Sequence, residues 1–170
     1  MQFNKDEVVT NRLILRRFQP GDYEDYCELL TQREVNKWLG NGKEITSEQA
    51  KKTMDAFERA WDKYGYGVWA VVHKEDNKVI GQCGFYPIAN TTEIELLYAL
   101  SPKYWGHGYA SEAAEAAIAY AKEIYKWNKL AALAYNDNKA SVNVLTKQGF
   151  KYIENQEHFG VNLAYFNLDL

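Results

Sequence analysis

Apolar residues recur along the chain with two different periods, and these periods predict its helices and strands. Where apolar side chains repeat every three or four positions, a helix with one buried face is expected. The clearest such stripe consists of Ala50, Met54, Phe57, Trp61 and Tyr64. The predicted helices are Tyr23–Thr31, a segment from Thr46 or Ser47 to Tyr64, Ala110–Lys126 and Lys139–Gln148. Asp22 is placed to cap the first helix, and Gly149 to end the last.

Short apolar runs between turn residues predict the strands. They are Thr10–Phe18, Val68–His73, Val79–Phe85, Glu93–Leu100, Leu130–Tyr135, Phe150–Ile153 and Asn162–Leu168. Gln32–Glu44 and the stretch between the last two strands are expected to be loops. A helix between Glu93–Leu100 and Leu130–Tyr135 implies a parallel crossover. The order predicts an α+β or three-layer α/β fold, in which helices cover a mixed sheet.

Bulk properties narrow the class of protein. With 170 residues, 46% hydrophobic and 25% charged, the chain is expected to form one domain, residues 1–170. Its net charge of −3 disfavours nucleic-acid binding, which usually needs a basic face. No segment resembles a signal peptide or reaches the length of a membrane span, so a cytoplasmic protein is expected. A monomer and a homodimer are both compatible with the sequence.

The cysteines and histidines form no motif. Cys27 and Cys83 have no characteristic spacing, so a disulfide framework is not expected. His73 and His158 form no cluster with Cys or Asp, and no metal is expected.

The strongest candidate for chemistry is Tyr104–Glu112, Tyr-Trp-Gly-His-Gly-Tyr-Ala-Ser-Glu, which joins a predicted strand to a predicted helix. The first backbone N–H groups of a helix lack partners inside it, and the helix dipole adds positive potential there. Glycine lets a ligand approach the backbone closely. The segment is therefore expected to bind a phosphate or pyrophosphate.

Two nucleotide-binding motifs fit this segment poorly. The pattern Gly-x-Gly-x-x-Ser at 106–111 is an incomplete dinucleotide fingerprint, and Leu130–Tyr135 has no acidic residue to hold a ribose. A Walker A loop requires Gly-Lys-Ser/Thr, which the chain lacks.

Leu100–Ala113 resembles the acetyl-CoA pyrophosphate loop of the GNAT N-acetyltransferases, most closely that of the RimJ/RimL-like branch. The superfamily pattern Gln/Arg-x-x-Gly-x-Gly/Ala falls on Trp105–Ala110, and Tyr-Trp-Gly-x-Gly-Tyr-Ala is common in this branch. Thr10–Arg16 is similar to the first strand of the branch, and Asn138–Ser141 with Lys147–Phe150 to its closing helix. The resemblance implies the GNAT fold, whose central strands splay apart. It also implies acetyl-CoA as co-substrate and an amine acceptor, either a protein N-terminus or a small molecule.

The resemblance also implies catalytic residues. Glu95 is the expected general base, on the strand that enters the loop; the alternative is an exposed strand residue. Glu93 is expected on the same face, where it is a rival base or a substrate contact. Ser141 is expected to protonate or hydrogen-bond the leaving thiolate, because Leu145 replaces the tyrosine that many members use; alternatively, Ser141 only supports a helix start.

Donor-binding residues follow from the same resemblance. The backbone of Tyr98 and Leu100 is expected to pair with pantetheine like an added strand, and Asn138 to contact the pantetheine region, cap its helix, or both. The expected pyrophosphate ligands are the N–H groups of Trp105, Gly106, His107, Gly108, Tyr109 and Ala110. The His107 side chain is expected to face solvent and help to neutralise phosphate.

The acceptor side is less well defined by the sequence. Aromatic residues lie in the segments that would line it, and most are expected to be core: Trp38, Tyr64, Tyr66, Trp69, Phe85 and Tyr86. Trp38 and Tyr86 are the expected substrate contacts. No cysteine aligns with the site, which favours direct attack by the amine in a ternary complex. The alternative function is a non-catalytic acyl-CoA-binding module, against which Glu95 argues.

Overall fold

The computed structural model describes residues 1–170, which form a nine-stranded sheet with helices on both faces. The strands are β1 (Gln2–Asn4), β2 (Glu7–Val9), β3 (Leu13–Arg16), β4 (Val68–His73), β5 (Lys78–Pro87), β6 (Ile94–Leu100), β7 (Lys129–Ala134), β8 (Lys151–His158) and β9 (Val161–Asp169). The helices are α1 (Tyr23–Thr31), α2 (Arg33–Asn36), α3 (Ser47–Tyr64), α4 (Tyr109–Tyr120) and α5 (Lys139–Lys147). A π-helical turn, Ala121–Tyr125, extends α4 to the predicted end of that helix.

The sheet is mixed, as predicted, with one parallel pair. The strand order is β1-β2-β3-β4-β5-β6-β7-β9-β8, and all neighbours are antiparallel except β6 and β7. These two strands pair at a single position, Glu95 opposite Ala131. The sheet therefore splits beyond that point, between the carboxyl halves of β6 and β7.

Each face of the sheet has its own core. Leu13 and Leu15 pack with the alanines of α4, whereas Ile14 packs on the opposite face against the cluster that α1 supplies. This alternation follows from the period of two along a strand. On that opposite face, the amphipathic helix α3 begins at Ser47, one of the two predicted starts, and Thr46 caps it with a capping box. No helix has the combined length and apolar character needed to cross a membrane.

Four local predictions are wrong. Residues 2–9 form a hairpin, β1–β2, that the sequence did not reveal. The predicted strand Thr10–Phe18 is longer than the observed strand β3, because Thr10 forms a turn in which it is hydrogen-bonded to Leu13. The predicted loop Gln32–Glu44 contains α2, a single turn too short to show helical periodicity. The predicted loop after Phe150–Ile153 is the rest of β8, an exposed edge strand whose polar residues resemble a loop. Asp22 does not cap α1, because its carboxylate binds Arg16 and the Gln19 N–H.

Candidate active site at the split in the sheet

The split exposes one edge of β6. Just beyond the two ends of β6, the Ser101 N–H donates to Ile80 O of β5, and the Glu93 carbonyl accepts from the N–H of Ile88, which directly follows β5. Backbone N–H and C=O groups point to alternate sides along a strand. Those of Leu96, Tyr98 and Leu100 therefore point away from β5 and toward the gap. The edge that the sequence predicts for pantetheine pairing therefore faces the split, although the Leu100 carbonyl already accepts a bond from the Trp105 indole at 2.8 Å.

A cavity of about 1260 Å³ occupies the split and is lined by residues from both faces of the sheet. Its walls come from the glycine turn and the start of α4, from β6 and β7, from the start of α5, and from the segment between α1 and α3. The predicted donor and acceptor segments therefore meet in one continuous space.

The glycine turn presents a row of free N–H groups. Residues 106–111 donate no hydrogen bond through their backbone N–H groups to any protein atom. Gly106 and Gly108 both have φ of 80°, a conformation that favours glycine, and Gly108 is the N-cap of α4. The Trp105 N–H, which the sequence predicts as a ligand, instead donates to Pro102 O at 3.2 Å. The remaining groups fit an anion such as a diphosphate.

Arg12, which lies about 100 residues earlier in the sequence, contacts this turn and holds it in place. Its Nη1 donates to His107 O at 2.9 Å, and its guanidinium lies 4.3 Å from the centroid of the Tyr109 ring. Its Nε lies 2.6 Å from Glu112 Oε2. Burial alone would raise the pKa of Glu112, but hydrogen bonds from Thr10 and Arg12 hold it below its ordinary value. Glu112 therefore stays ionised and holds Arg12 against the turn.

A second contact ties the turn to the β4–β5 hairpin. The Tyr109 hydroxyl lies 2.9 Å from Nε2 of buried His73, whose Nδ1 lies 3.1 Å from Asp76. Tyr104 donates to the same carboxylate at 2.6 Å. The His107 side chain is exposed and does not line the cavity.

Glu95 lies at the apex of the split and lines the cavity. It is half-buried, and the surface that it retains faces the cavity rather than bulk solvent. Burial raises the pKa of Glu95 to about 8, although the backbone of Leu133 favours the carboxylate form. A carboxyl group with such a pKa can accept a proton near neutral pH. Tyr86 pairs with Glu95 across β5 and β6 and lines the same wall.

Glu93 lies elsewhere. Its carboxylate accepts a hydrogen bond from Tyr165 and lies 4.0 Å from Lys129 Nζ, and it is not among the residues that line the cavity. Of the two predicted carboxylates, the structure brings Glu95 alone to the site.

Ser141 and Asn138 line the opposite wall, at the start of α5. The Ser141 hydroxyl lies 3.0 Å from the hydroxyl of Tyr98. Burial raises the pKa of Tyr98, so this hydroxyl keeps its proton at neutral pH. Asn138 caps α5, since its Oδ1 accepts from the Ser141 N–H at 3.2 Å. The Asn138 amide nitrogen has no protein partner and remains free to donate into the cavity.

The acceptor side is closed by the segment after α2. Trp38 lines the cavity and packs edge-on against Tyr135, with ring centroids 5.8 Å apart. The Tyr135 hydroxyl donates to Gly40 O at 3.0 Å, which links this segment to the end of β7 across the split. Phe159, at the β8–β9 turn, adds an exposed aromatic edge.

The other predicted aromatics do not reach the cavity. Trp69 and Phe85 are fully buried core residues, as expected of most of the set. Tyr64 and Tyr66 stack on each other at the end of α3 with centroids 5.6 Å apart. Only Trp38 and Tyr86 of the six aromatics line the site.

Among the residues that the sequence did not indicate, Gln82, Tyr135 and Phe159 line the cavity and Arg12 supports the glycine turn. Arg12 lies within the quoted first-strand motif, but nothing in that motif indicates a partner 100 residues away. The other three have no local signal, because each reaches the cavity only through the sheet register or a hairpin turn.

Comparison with known proteins identifies the family of the chain. The Acetyltransferase (GNAT) domain family matches residues 12–151. The chain is 32% identical over 151 residues to the uncharacterized protein YkkB of Bacillus subtilis (strain 168), which covers 87% of each chain.

Solved structures share the fold. An acetyltransferase from Agrobacterium tumefaciens str. C58 superposes with a TM-score of 0.85 at 21% identity, over 100% of this chain and 98% of that one. RimL, a ribosomal L7/L12 alpha-N-protein acetyltransferase solved with coenzyme A, superposes with a TM-score of 0.80 at 16% identity, over 96% and 97%. The chain therefore belongs to the GNAT acetyltransferase family, whose general reaction is acetyl transfer from acetyl-CoA.

Proposed function

We propose that the protein transfers an acetyl group from acetyl-CoA to a primary amine, by direct attack in a ternary complex. The observation that carries this proposal is the continuity of one cavity from the free N–H groups of residues 106–111 to the carboxyl group of Glu95. Such a cavity can hold an anionic donor at one end and a proton acceptor at the other.

The donor end supplies binding groups in the order that acetyl-CoA requires. The free N–H groups of the glycine turn and the helix dipole of α4 suit the diphosphate. The backbone edges of Tyr98 and Leu100 face the gap and suit the amides of pantetheine. The free amide nitrogen of Asn138 lies on the opposite wall and supplies a further donor.

The catalytic end supplies the proton transfers. The amine nitrogen forms a bond to the thioester carbonyl carbon, the carbon–sulfur bond breaks, and the amine loses one proton to Glu95, directly or through water. The thiolate leaving group accepts a hydrogen bond or a proton from Ser141, whose hydroxyl lies 3.0 Å from that of Tyr98. The proton that Glu95 takes from the amine passes to solvent, and solvent returns a proton to Ser141 or to the thiolate, so that free CoA leaves as the thiol. A covalent acetyl-cysteine step is disfavoured, because Cys83 is fully buried and neither cysteine lines the cavity.

The alternative function, an acyl-CoA-binding module without catalysis, would not need a carboxyl group at the apex of the split. Glu95 lies there with a pKa raised to about 8, which costs folding stability and is typical of a catalytic base. This observation favours the enzyme.

We assign the chain to the RimJ/RimL-like branch because of its Tyr-Trp-Gly-His-Gly-Tyr-Ala turn and its Asn138–Ser141 segment. The structural likeness to RimL is compatible with a protein N-terminus as acceptor, and a small amine is the other possibility.

An acetylation screen tests the proposed function. Peptide N-termini, alkylamines, polyamines and aminoglycosides are each incubated with acetyl-CoA, and release of free CoA is measured. We expect amine-dependent release with at least one class, and mass spectrometry should find the acetyl group on the amine. CoA release without amine acetylation, or no release at all, would contradict the proposal.

A further inference from the structure

The acceptor side of the cavity contains one buried polar group that the proposed reaction does not use. Gln82 is 4% exposed and lines the cavity, and its side chain has a single hydrogen-bond partner, the hydroxyl of buried Tyr26. In this contact the Tyr26 hydroxyl donates to the amide oxygen, Gln82 Oε1, so both N–H groups of the amide remain free.

These free N–H groups point into the cavity. No side-chain nitrogen or oxygen that is fully shielded from solvent lacks a hydrogen-bond partner. The unpaired amide nitrogen of Gln82 must therefore keep access to open space, and the cavity that Gln82 lines provides it. Polar groups that face an otherwise apolar cavity usually fix the orientation of a ligand.

The amide lies on the acceptor face of the sheet. Gln82 pairs directly with Ala99, and Tyr86 pairs with Glu95, so all four side chains project from the same face, toward α1 and α3. The glycine turn leads into α4 on the other face. Ala99 and Glu95 are four residues apart, which is about 13 Å along a strand.

The rest of this region is apolar. Leu30, Val35 and Leu97 line the cavity near Gln82, between the sheet and the α1–α2 segment. The charged residues that line the whole cavity are Lys37, Lys43, Lys52, Lys139, Glu44, Asp137 and Glu95. The four lysines thus outnumber the three acidic residues. A polyamine or an aminoglycoside would instead require a predominantly acidic lining.

We propose, on the basis of the proposed function, that the acceptor is an elongated monoamine with an apolar body, and that the Gln82 amide binds an oxygen at its far end. With the amine at Glu95, a carbonyl or hydroxyl oxygen about 10 Å away can accept from Gln82. Gln82 is then the residue that sets acceptor specificity.

Matched acceptors test this assignment. Alkylamines are compared with ω-aminoalkanamides of the same and increasing chain length, with spermidine as a third probe, and kcat/KM is measured for each. Wild-type protein is expected to prefer the best aminoalkanamide over its alkylamine by about 10- to 100-fold, because the alkylamine leaves the amide unpaired. Spermidine is expected to be the poorest acceptor.

The double variant Tyr26→Phe/Gln82→Met removes both members of the buried pair, so neither is left unsatisfied and the fold is retained. Its preference for the aminoalkanamide is expected to fall to within about threefold of unity. Tyr26→Phe alone keeps the amide and is expected to keep most of the preference.

Three results would overturn the assignment: an unchanged preference in the double variant, a preference for spermidine, or a rise in the KM for acetyl-CoA as large as the loss in acceptor preference. The last result would place the amide on the donor. Turnover without any preference contradicts this inference alone. If no amine releases CoA, the proposed function fails and this inference fails with it.

Discussion

The donor and acceptor halves of the cavity are held together by different kinds of contact. The donor half is formed by consecutive residues of one turn, 106–111. A short ion pair between Arg12 and Glu112 and the hydrogen bond between Tyr109 and His73 hold this turn in place. The acceptor half is lined largely by apolar and aromatic side chains from separate segments, including Trp38, Tyr86 and Phe159.

This difference has a functional consequence. A rigid row of N–H groups recognises a diphosphate. The diphosphate belongs to the donor, so it does not change with the amine that accepts the acetyl group. Apolar walls with a few polar groups recognise the shape and the polar ends of one acceptor. Substitutions in the two halves should therefore affect different kinetic constants.

Glu95, where the two halves meet, should give the largest effect. Glu95→Gln is expected to lower kcat by about 10²- to 10⁴-fold, because the amide cannot accept the proton. Acetyl-CoA affinity measured by calorimetry should change less than about twofold, since Glu95 does not contact the glycine turn.

The pH dependence provides a check on the same residue. In wild-type protein kcat/KM should rise as pH passes through about 8 and Glu95 loses its proton. That rise should be absent from the residual activity of Glu95→Gln. If Glu93→Gln abolishes turnover and Glu95→Gln does not, Glu93 is the base and the assignment of Glu95 is wrong.

Arg12→Gln should break the donor half alone. Without the guanidinium the turn loses its bond to His107 O and Glu112 loses its counter-charge, so we expect the KM for acetyl-CoA to rise about 10- to 100-fold. The KM for the amine should change little. The matched control is Arg17→Gln, which removes an arginine of similar exposure that is paired with Glu58 far from the turn. Equal kinetic effects of the two variants would show that Arg12 does not support binding of acetyl-CoA at the turn.

Trp38→Ala should affect the acceptor half alone. Loss of the indole opens the wall that it shares with Tyr135, and we expect the KM for the amine to rise about tenfold. Steady-state kinetics with each substrate varied in turn would separate this effect from a change in acetyl-CoA binding. Tyr152→Ala, which removes an exposed aromatic from β8 outside the cavity, is the control. A tenfold rise in the KM for acetyl-CoA would show that the two halves are not separate.

Ser141→Ala should have a smaller effect, on kcat. The thiolate would lose its nearest hydroxyl, although Tyr98 can approach in its place, so we expect a loss of about three- to tenfold. Tyr98→Phe combined with Ser141→Ala should lower kcat further. If Ser141→Ala leaves kcat unchanged, Ser141 serves only the start of α5.

Glu95→Gln should also stabilise the fold slightly. The pKa of Glu95 is about 8 in the folded protein and near its ordinary, lower value in the unfolded chain, so the folded state binds more protons between those values. The Glu95 contribution to stability therefore falls as pH rises through that window. At pH 8 we expect Glu95→Gln to be more stable by about 1–2 kcal/mol, seen as a rise in Tm of roughly 2–8 °C. A variant less stable than wild type at pH 8 would contradict the assigned pKa.

The sequence predicted the donor half better than the acceptor half. The difference does not lie in the secondary structure, because α1 and α3, which cover the acceptor face, and strand β4 begin and end at the predicted residues. The parallel crossover around the glycine turn is also confirmed. The row of free N–H groups could be predicted because these groups belong to adjacent residues and depend only on a strand, two glycines and a helix.

The acceptor half could not be predicted in the same way. Gln82 faces the cavity only because β5 pairs with β6 in one particular register, and Tyr135 matters only because its hydroxyl reaches Gly40 across the split. The predicted strand Phe150–Ile153 is shorter than β8, because an edge strand exposed on both sides has no alternation of apolar and polar residues. Tertiary register, rather than local pattern, determines these positions.

Thermal unfolding with and without acetyl-CoA tests the central claim, that the glycine turn holds this donor, most directly. At a hundred times its dissociation constant the ligand should stabilise the fold by about 2.7 kcal/mol, which corresponds to a rise in Tm of roughly 5–10 °C. The rise should be much smaller in Arg12→Gln and unchanged in Glu95→Gln. A Tm that millimolar acetyl-CoA leaves unmoved in the wild-type protein would contradict the account.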